Sequence, residues 1–183
     1  MLERGAGSAT DPLRTAVLGI SGPTGCELRT VILRRVVTVD RILICNTDTR
    51  SPKVQQIKNN SRVSWLFYHP EPKIQLRLHG PATLHTADTL ADAQWAAANL
   101  TSRLNYLTSD APGAIQDKPT TNLPDFLIDR PLTLEQSEAG RKNFAVIACR
   151  IDFMDCLQLH PHGHRRAQFA WREDKLTANW VTP

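Results

Sequence analysis

From Ile74 to His79 the chain alternates strictly between apolar and polar residues, with Ile74, Leu76 and Leu78 interleaved by Gln75, Arg77 and His79. A period of two places the two sets on opposite faces of a β-strand, one for a core and one facing outward. Three further segments have strand composition. Arg29 to Val37 (RTVILRRVV), Arg41 to Thr47 (RILICNT) and Arg62 to His69 (RVSWLFYH) are rich in β-branched or aromatic residues and bounded by turn formers. The first two read as an antiparallel hairpin about Thr38-Val39-Asp40. Strands return at the end of the chain, over Asn143 to Phe153, near Leu157 to Leu159, and over Arg166 to Trp171 and Leu176 to Val181, with Glu173-Asp174 as the last turn.

Helical signals are fewer. In Thr10 to Gly22, Pro12 suits a helix start and Leu13, Ala16, Val17 and Ile20 have helical spacing, which predicts a short docking helix and makes residues 1–25 an N-terminal helical arm. Ser51-Pro52-Lys53 is a second start signal: Ser51 can cap, Pro52 fits the first helical position, Val54 and Ile57 form an apolar face, and Asn59-Asn60 ends it. Asp88 to Arg103 carries Leu90, Ala93, Ala97 and Leu100 at helical spacing behind a capping Asp88. Residues 108–131 hold Pro112, Pro119, Pro124 and Pro131 with Gly113, a long loop suited to a lid or a dimer contact, and Leu134 to Gly140 adds a helical turn. Strands before and after one main helix indicate a mainly β (α+β) domain over residues 1–183, a closed or split antiparallel barrel rather than alternating βαβ units.

With 183 residues, 41% of them hydrophobic, the chain can bury a core without disulfides or a structural metal. The N-terminus MLERGAGSAT lacks an apolar signal region and no run approaches the roughly 20 apolar residues of a membrane span. A cytoplasmic location is therefore expected. Cys26, Cys45, Cys149 and Cys156 are scattered, so neither a zinc site nor a redox pair is indicated. A net charge of +4 and a pI near 9.1 favour anionic partners.

The cations Arg29, Arg34, Arg35, Arg50 and Lys53 gather around a hairpin and a helix start, where backbone N–H groups and the helix dipole favour an anion. Lys53 lies inside the first helical turn, which is unfavourable for a cation unless it meets a negative ligand. Ser51 and Thr47 can add hydroxyls. Taken singly, each basic residue reads as a solvated surface charge. Arg29 and Arg34 are an odd number apart, so a regular strand would send them to opposite faces unless a bulge intervenes. Gln75 and Arg77 share the outward face of their strand and can hydrogen-bond a polar ring edge. The HPHGH tract, His160, His162 and His164, includes Pro161 and Gly163, which point to a turn in contact with an anion rather than to a metal site. Hydrolase, Walker, dinucleotide and zinc-protease motifs are absent. Trp65, Phe67 and Tyr68 read as packing residues rather than a nucleic-acid stacking platform.

RTVILR, NTDTRSPKVQQIKNNSRVSWLFY, IQLRLHG and HRRAQFAWREDKLTANWVTP together resemble, in order and spacing, the pyridoxamine-phosphate oxidase family of FMN-binding split barrels. The similarity covers roughly Arg29 to Gly80 and Asn143 to Pro183, and it is closer to a branch of small oxidase-like proteins than to the biosynthetic oxidase. It implies an antiparallel Greek-key split β-barrel with a few peripheral helices, a homodimer with two FMN in clefts shared by the subunits, and no nucleic-acid or membrane partner. It places the first FMN strand on Arg29, Thr30, Val31, Ile32, Leu33 and Arg34, the phosphate-binding segment on Asn46, Thr47, Ser51 and Lys53, a ring contact on Gln75, and a C-terminal flavin contact on Arg166. Arg34 and His164 fall where a small anionic substrate would be held, and no protein residue is assigned as catalytic, because the flavin carries the chemistry. Pro52 replaces an arginine of the biosynthetic enzyme, leaving one phosphate contact missing or supplied by Arg50. Cys156 replaces a flavin-contacting tryptophan, and His162 stands at the lost arginine of the substrate-gripping R-x-H motif. The implied activity is that of an FMN-dependent oxidoreductase, with pyridoxamine or pyridoxine phosphate as substrates if the full oxidase activity is kept. A reductase of another substrate, a non-catalytic FMN-binding protein and a basic nucleic-acid-binding barrel are the alternatives.

Overall fold

The computed structural model describes residues 1–124, 127 and 130–183, so Asp125, Phe126, Ile128 and Asp129 of the proline-rich loop lie outside the described residues. The chain divides into two compact units. One comprises Met1–Cys45, Gln56–Thr83 and Ala148–Pro183, and the other Asn46–Gln55 and Leu84–Ile147.

The first unit is built on antiparallel strands: β1 (Thr15–Gly22), β2 (Gly25–Ile32), β3 (Arg35–Val37), the start of β4 (Ile42–Asp48), β5 (Arg62–His69), most of β6 (Ile74–His85), the end of β7 (Phe144–Arg150), β8 (Phe153–Gln158), β9 (Arg165–Arg172) and β10 (Lys175–Val181). Seven of them pair in the order β10-β9-β8-β6-β5-β1-β2, while β3 pairs with β4. The alternation seen in the sequence is realised in β6, where Leu76 and Leu78 are buried and Arg77 between them is exposed; β5 alternates too, with Val63, Trp65, Phe67 and His69 buried and Arg62, Ser64, Leu66 and Tyr68 facing out. Trp65 and Phe67 stack nearly parallel, with centroids 6.0 Å apart. Burial pushes the Cys149 thiol up to about 12, which keeps it a protonated packing group.

The helix expected over Thr10–Gly22 is not formed. The helix α1 is Leu2–Gly7, Pro12–Arg14 makes one 3-10 turn capped by Asp11, and Thr15–Gly22 is β1. Ala16 and Ile20, four apart, satisfy a helical and a strand period equally, and Leu18 between them breaks the tie: all three are buried, at 1%, 1% and 0% exposure. Thr15, Val17 and Gly19 also disfavour a helix. Arg29–Val37 likewise is not one strand. It breaks at Leu33-Arg34, where the Leu33 N–H donates to the Arg14 carbonyl and the Arg34 N–H to the Ile44 carbonyl, both at 2.8 Å. The hairpin with β4 is therefore confined to β3, and β2 pairs with β1. The last strands meet at Glu173 and Asp174, both left-handed (φ 49° and 61°), and the Asp174 carboxylate accepts from Arg41 and Arg150 at 2.6 Å each.

In the second unit, Asp88 caps α3 (Thr89–Ala96). The single helix expected to Arg103 is two, because the Asn99 side chain accepts the Ser102 N–H and starts α4 (Leu100–Leu104) afresh. Helix α5 (Leu134–Ser137) begins with a Thr133–Gln136 capping box and runs into a 3-10 segment to Asn143. Trp95, Tyr106 and Phe144 pack edge to face, 5.0 to 5.8 Å between centroids. The buried Arg103 lies over Trp95 and donates to Ser137, Glu138 and the Trp95 carbonyl. Among the described residues, no helix is long and apolar enough to cross a membrane.

Candidate functional site

In the second unit, β4 runs out at Asp48 and Pro52 opens α2 (Pro52–Asn59). The link is a tight turn: the Asp48 carboxylate accepts the Arg50 N–H at 2.8 Å, the Ser51 N–H donates to the Asp48 carbonyl at 3.1 Å, and the Val54 N–H to the Ser51 carbonyl at 2.9 Å. This geometry brings Thr47, Ser51 and Lys53 together. Thr47 and Ser51 are buried, at 5% and 6% exposure, and Lys53 Nζ donates to Ser51 Oγ at 2.7 Å and Thr47 Oγ1 at 3.2 Å. Nearby in the chain, Asn46 Oδ1 is buried with no hydrogen-bond partner among the described residues, the kind of atom a bound molecule satisfies. One ammonium, two hydroxyls and the start of a helix form a donor set suited to a phosphate.

Arg50, the candidate replacement for the missing phosphate contact, is committed elsewhere. Its guanidinium is forked onto Asp48 through Nε (3.0 Å) and Nη2 (2.8 Å), and it also donates to the Thr108 and Ser109 carbonyls and Thr108 Oγ1. All five N–H donors have acceptors, and the Asp48 hydrogen bond raises its affinity for its proton. Arg50 is thus a staple of the unit. It also walls a cavity of ≈ 500 Å³ with Tyr106, Leu107, Gln136 and the exposed Lys142.

In the first unit, Arg29 on β2 sits between Glu27 (2.6 Å) and Gln56 (3.3 Å). Thr30 is exposed, Val31 and Ile32 are half-buried, and the Leu33 side chain is fully buried in the core. Arg34 lies at the break between β2 and β3, and His164 in the turn between β8 and β9, where its Nδ1 accepts the His160 N–H at 3.1 Å. Gly163 takes φ 114° there. Among the described residues, no group of three or more potential metal ligands is present.

The register of β6, β8 and β9 places Gln75 opposite Leu157 and Leu157 opposite Arg166; the neighbouring row is Arg77, Asp155 and Gln168. These rows share one face of the sheet. Cys156, in register with Leu76 and Ala167, is on the other face of the sheet. Asp155 was missed by the sequence reading. It is 1% exposed and accepts from Arg77 (2.7 Å), Arg166 (2.8 to 3.2 Å) and Gln168 (2.9 Å). The available signal was a charged residue inside a strand, between Met154 and Cys156, a place a carboxylate takes only with partners.

The Arg166 hydrogen bonds, with those of Gln168 and Arg77, hold the Asp155 carboxyl well below the usual carboxylate range. A depressed folded-state value stabilises the fold above the unfolded value, near 4, and that stabilisation disappears as the pH falls through the folded value. The melting temperature is therefore expected to fall on acidification below about pH 4, with a shallower slope in Asp155→Asn. Parallel slopes in a thermal melt series would contradict this.

Residues 9–86 match the profile of the pyridoxamine 5'-phosphate oxidase FMN-binding domain. No protein of curated function matches the chain. Among solved structures, a pyridoxamine 5'-phosphate oxidase-related, FMN-binding protein from Nostoc punctiforme aligns over 100% of this chain and 93% of its own, with 22% identity and a TM-score of 0.75. PhzG from Burkholderia lata, solved with tetrahydrophenazine-1-carboxylic acid, aligns over 93% of this chain and 82% of its own, with 14% identity and a TM-score of 0.69. The shared architecture is the mainly antiparallel split barrel with few helices. The matched stretch, residues 9–86, includes Thr47, Ser51 and Lys53, so the similarity to the pyridoxamine 5'-phosphate oxidase FMN-binding domain spans the cradle.

Proposed function

We propose that the chain, acting as one domain over residues 1–183 and as a homodimer, binds FMN and is an oxidoreductase of the pyridoxamine-phosphate-oxidase type for a small anionic substrate. The convergence of Lys53 Nζ with Thr47 Oγ1 and Ser51 Oγ at the start of α2 carries this reading. Lys53 neutralises the flavin phosphate, Thr47 and Ser51 turn their hydroxyl hydrogens to it, and Asn46 offers its unpartnered Oδ1 as an acceptor to a donor elsewhere on the bound flavin. Arg29, Thr30, Val31, Ile32, Leu33 and Arg34 supply the first flavin strand, with Leu33 acting through its backbone because its side chain is in the core. Gln75 and Arg166 contact the ring system, and Arg34 with His164 receives the substrate anion. Bound FMN supplies hydride acceptance and reoxidation, while the protein contributes placement and electrostatics.

The visible spectrum of the untagged protein, before and after addition of FMN, tests the reading. A flavin spectrum retained through desalting is expected, and a protein that stays colourless would refute it. Anaerobic addition of pyridoxamine phosphate then separates the oxidase from a reductase or a non-catalytic FMN carrier. Bleaching supports the oxidase, and an unbleached flavin leaves the other two.

A further inference from the structure

Asp155 is the most completely engaged carboxylate among the described residues: fully buried, on the outward row of β8, with a guanidinium on either flanking strand and a Gln168 amide completing its shell. Two features separate this from a surface ion pair. Arg166 presents both Nε and Nη2 to the carboxylate, a forked arrangement that fixes the guanidinium plane. Arg77 holds the other side of the same carboxylate at 2.7 Å, so the cluster carries two cations and one anion and retains one positive charge. Without the carboxylate the two guanidiniums on this face would repel each other, and Arg166 would regain its rotamer freedom.

We infer that Asp155 is a positioning residue for flavin binding, fixing the guanidinium of Arg166 and setting the charge of the face that also carries Gln75 and Arg77. This rests on the FMN-binding reading of Arg166 above. A positioned arginine has already lost its side-chain freedom before the ligand arrives, so less is lost on binding.

The sign of the effect distinguishes this role from plain electrostatics. Asp155→Asn adds one unit of positive charge to the face, which by itself would tighten the binding of anionic FMN, whereas loss of orientation weakens it. Titrations of FMN fluorescence quenching with wild type, Asp155→Asn, Arg166→Met and the double variant are expected to show about a ten-fold or greater loss for each single variant. The double variant should match Arg166→Met within about two-fold, because Asp155 acts through Arg166. Unchanged or tighter binding by Asp155→Asn, or losses that multiply in the double variant, would overturn the inference. A second measurement needs no flavin and no variant: the Arg166 Nε–H of the ligand-free wild type should exchange slowly with solvent in arginine-detected NMR. Fast exchange there refutes the positioning role. Slow exchange in a wild type that takes up no FMN refutes both the cofactor reading and the flavin role that depends on it, leaving only the pinned arginine.

Discussion

Lys53→Ala is expected to bind FMN about ten- to a hundred-fold more weakly than wild type, with its melting temperature nearly unchanged. The range is that of one charge-assisted hydrogen bond removed from a phosphate. Lys53 is the cation that meets both buried hydroxyls of the cradle, and its side chain is not part of the core. Arg50→Ala is the contrasting variant. It removes the guanidinium donors from the Asp48 carboxylate and from the Thr108 and Ser109 carbonyls, so it should lower stability. Fluorescence titration alongside thermal melts reads both effects, and equal FMN affinity in Lys53→Ala and wild type would refute the phosphate role.

Gly80→Ala should cause the largest loss of stability, about 3 kcal/mol or more, seen as a fall in melting temperature of roughly 10 °C. A Cβ at Gly80 would lie 1.9 Å from the Arg150 carbonyl oxygen and 2.8 Å from its carbon, and these are backbone atoms at the end of β7 that cannot turn aside. The absent side chain is what allows this approach. Gly19→Ala offers the comparison within the same sheet. Its Cβ would meet the ends of two side chains, Leu28 Cδ2 at 3.1 Å and Cys26 Sγ at 3.2 Å, which can move. Differential scanning calorimetry should show Gly19→Ala melting close to wild type, and a Gly80→Ala protein within 2 °C of wild type would contradict the argument.

The features legible in the sequence are those whose cause is local. The β6 alternation, the Pro52 helix start, the Asp88 cap and the Glu173-Asp174 turn each depend on residues within four positions of one another, and the structure has all of them. The misreadings arose where a local signal was degenerate or incomplete. Ala16 and Ile20 fit a helical and a strand period alike, and only the burial of Leu18 on the same face distinguishes the strand β1 from a helix. Asn99 sits inside an apparently continuous helical pattern, yet its side chain starts a new helix.

The sequence by itself determined the β character of the chain and the grouping of Thr47, Ser51 and Lys53, because these residues lie within one turn whose geometry Asp48 and Pro52 dictate. Only the tertiary structure decided the fate of the charges. Arg50 is neutralised by Asp48 and fixed by carbonyls 58 and 59 residues away, and Asp155 joins Arg77, 78 residues distant, to Arg166 across two strand pairings. Such partnerships depend on strand register. A shift of one residue would turn every one of these side chains to the opposite face, and no local periodicity records which register the sheet adopts.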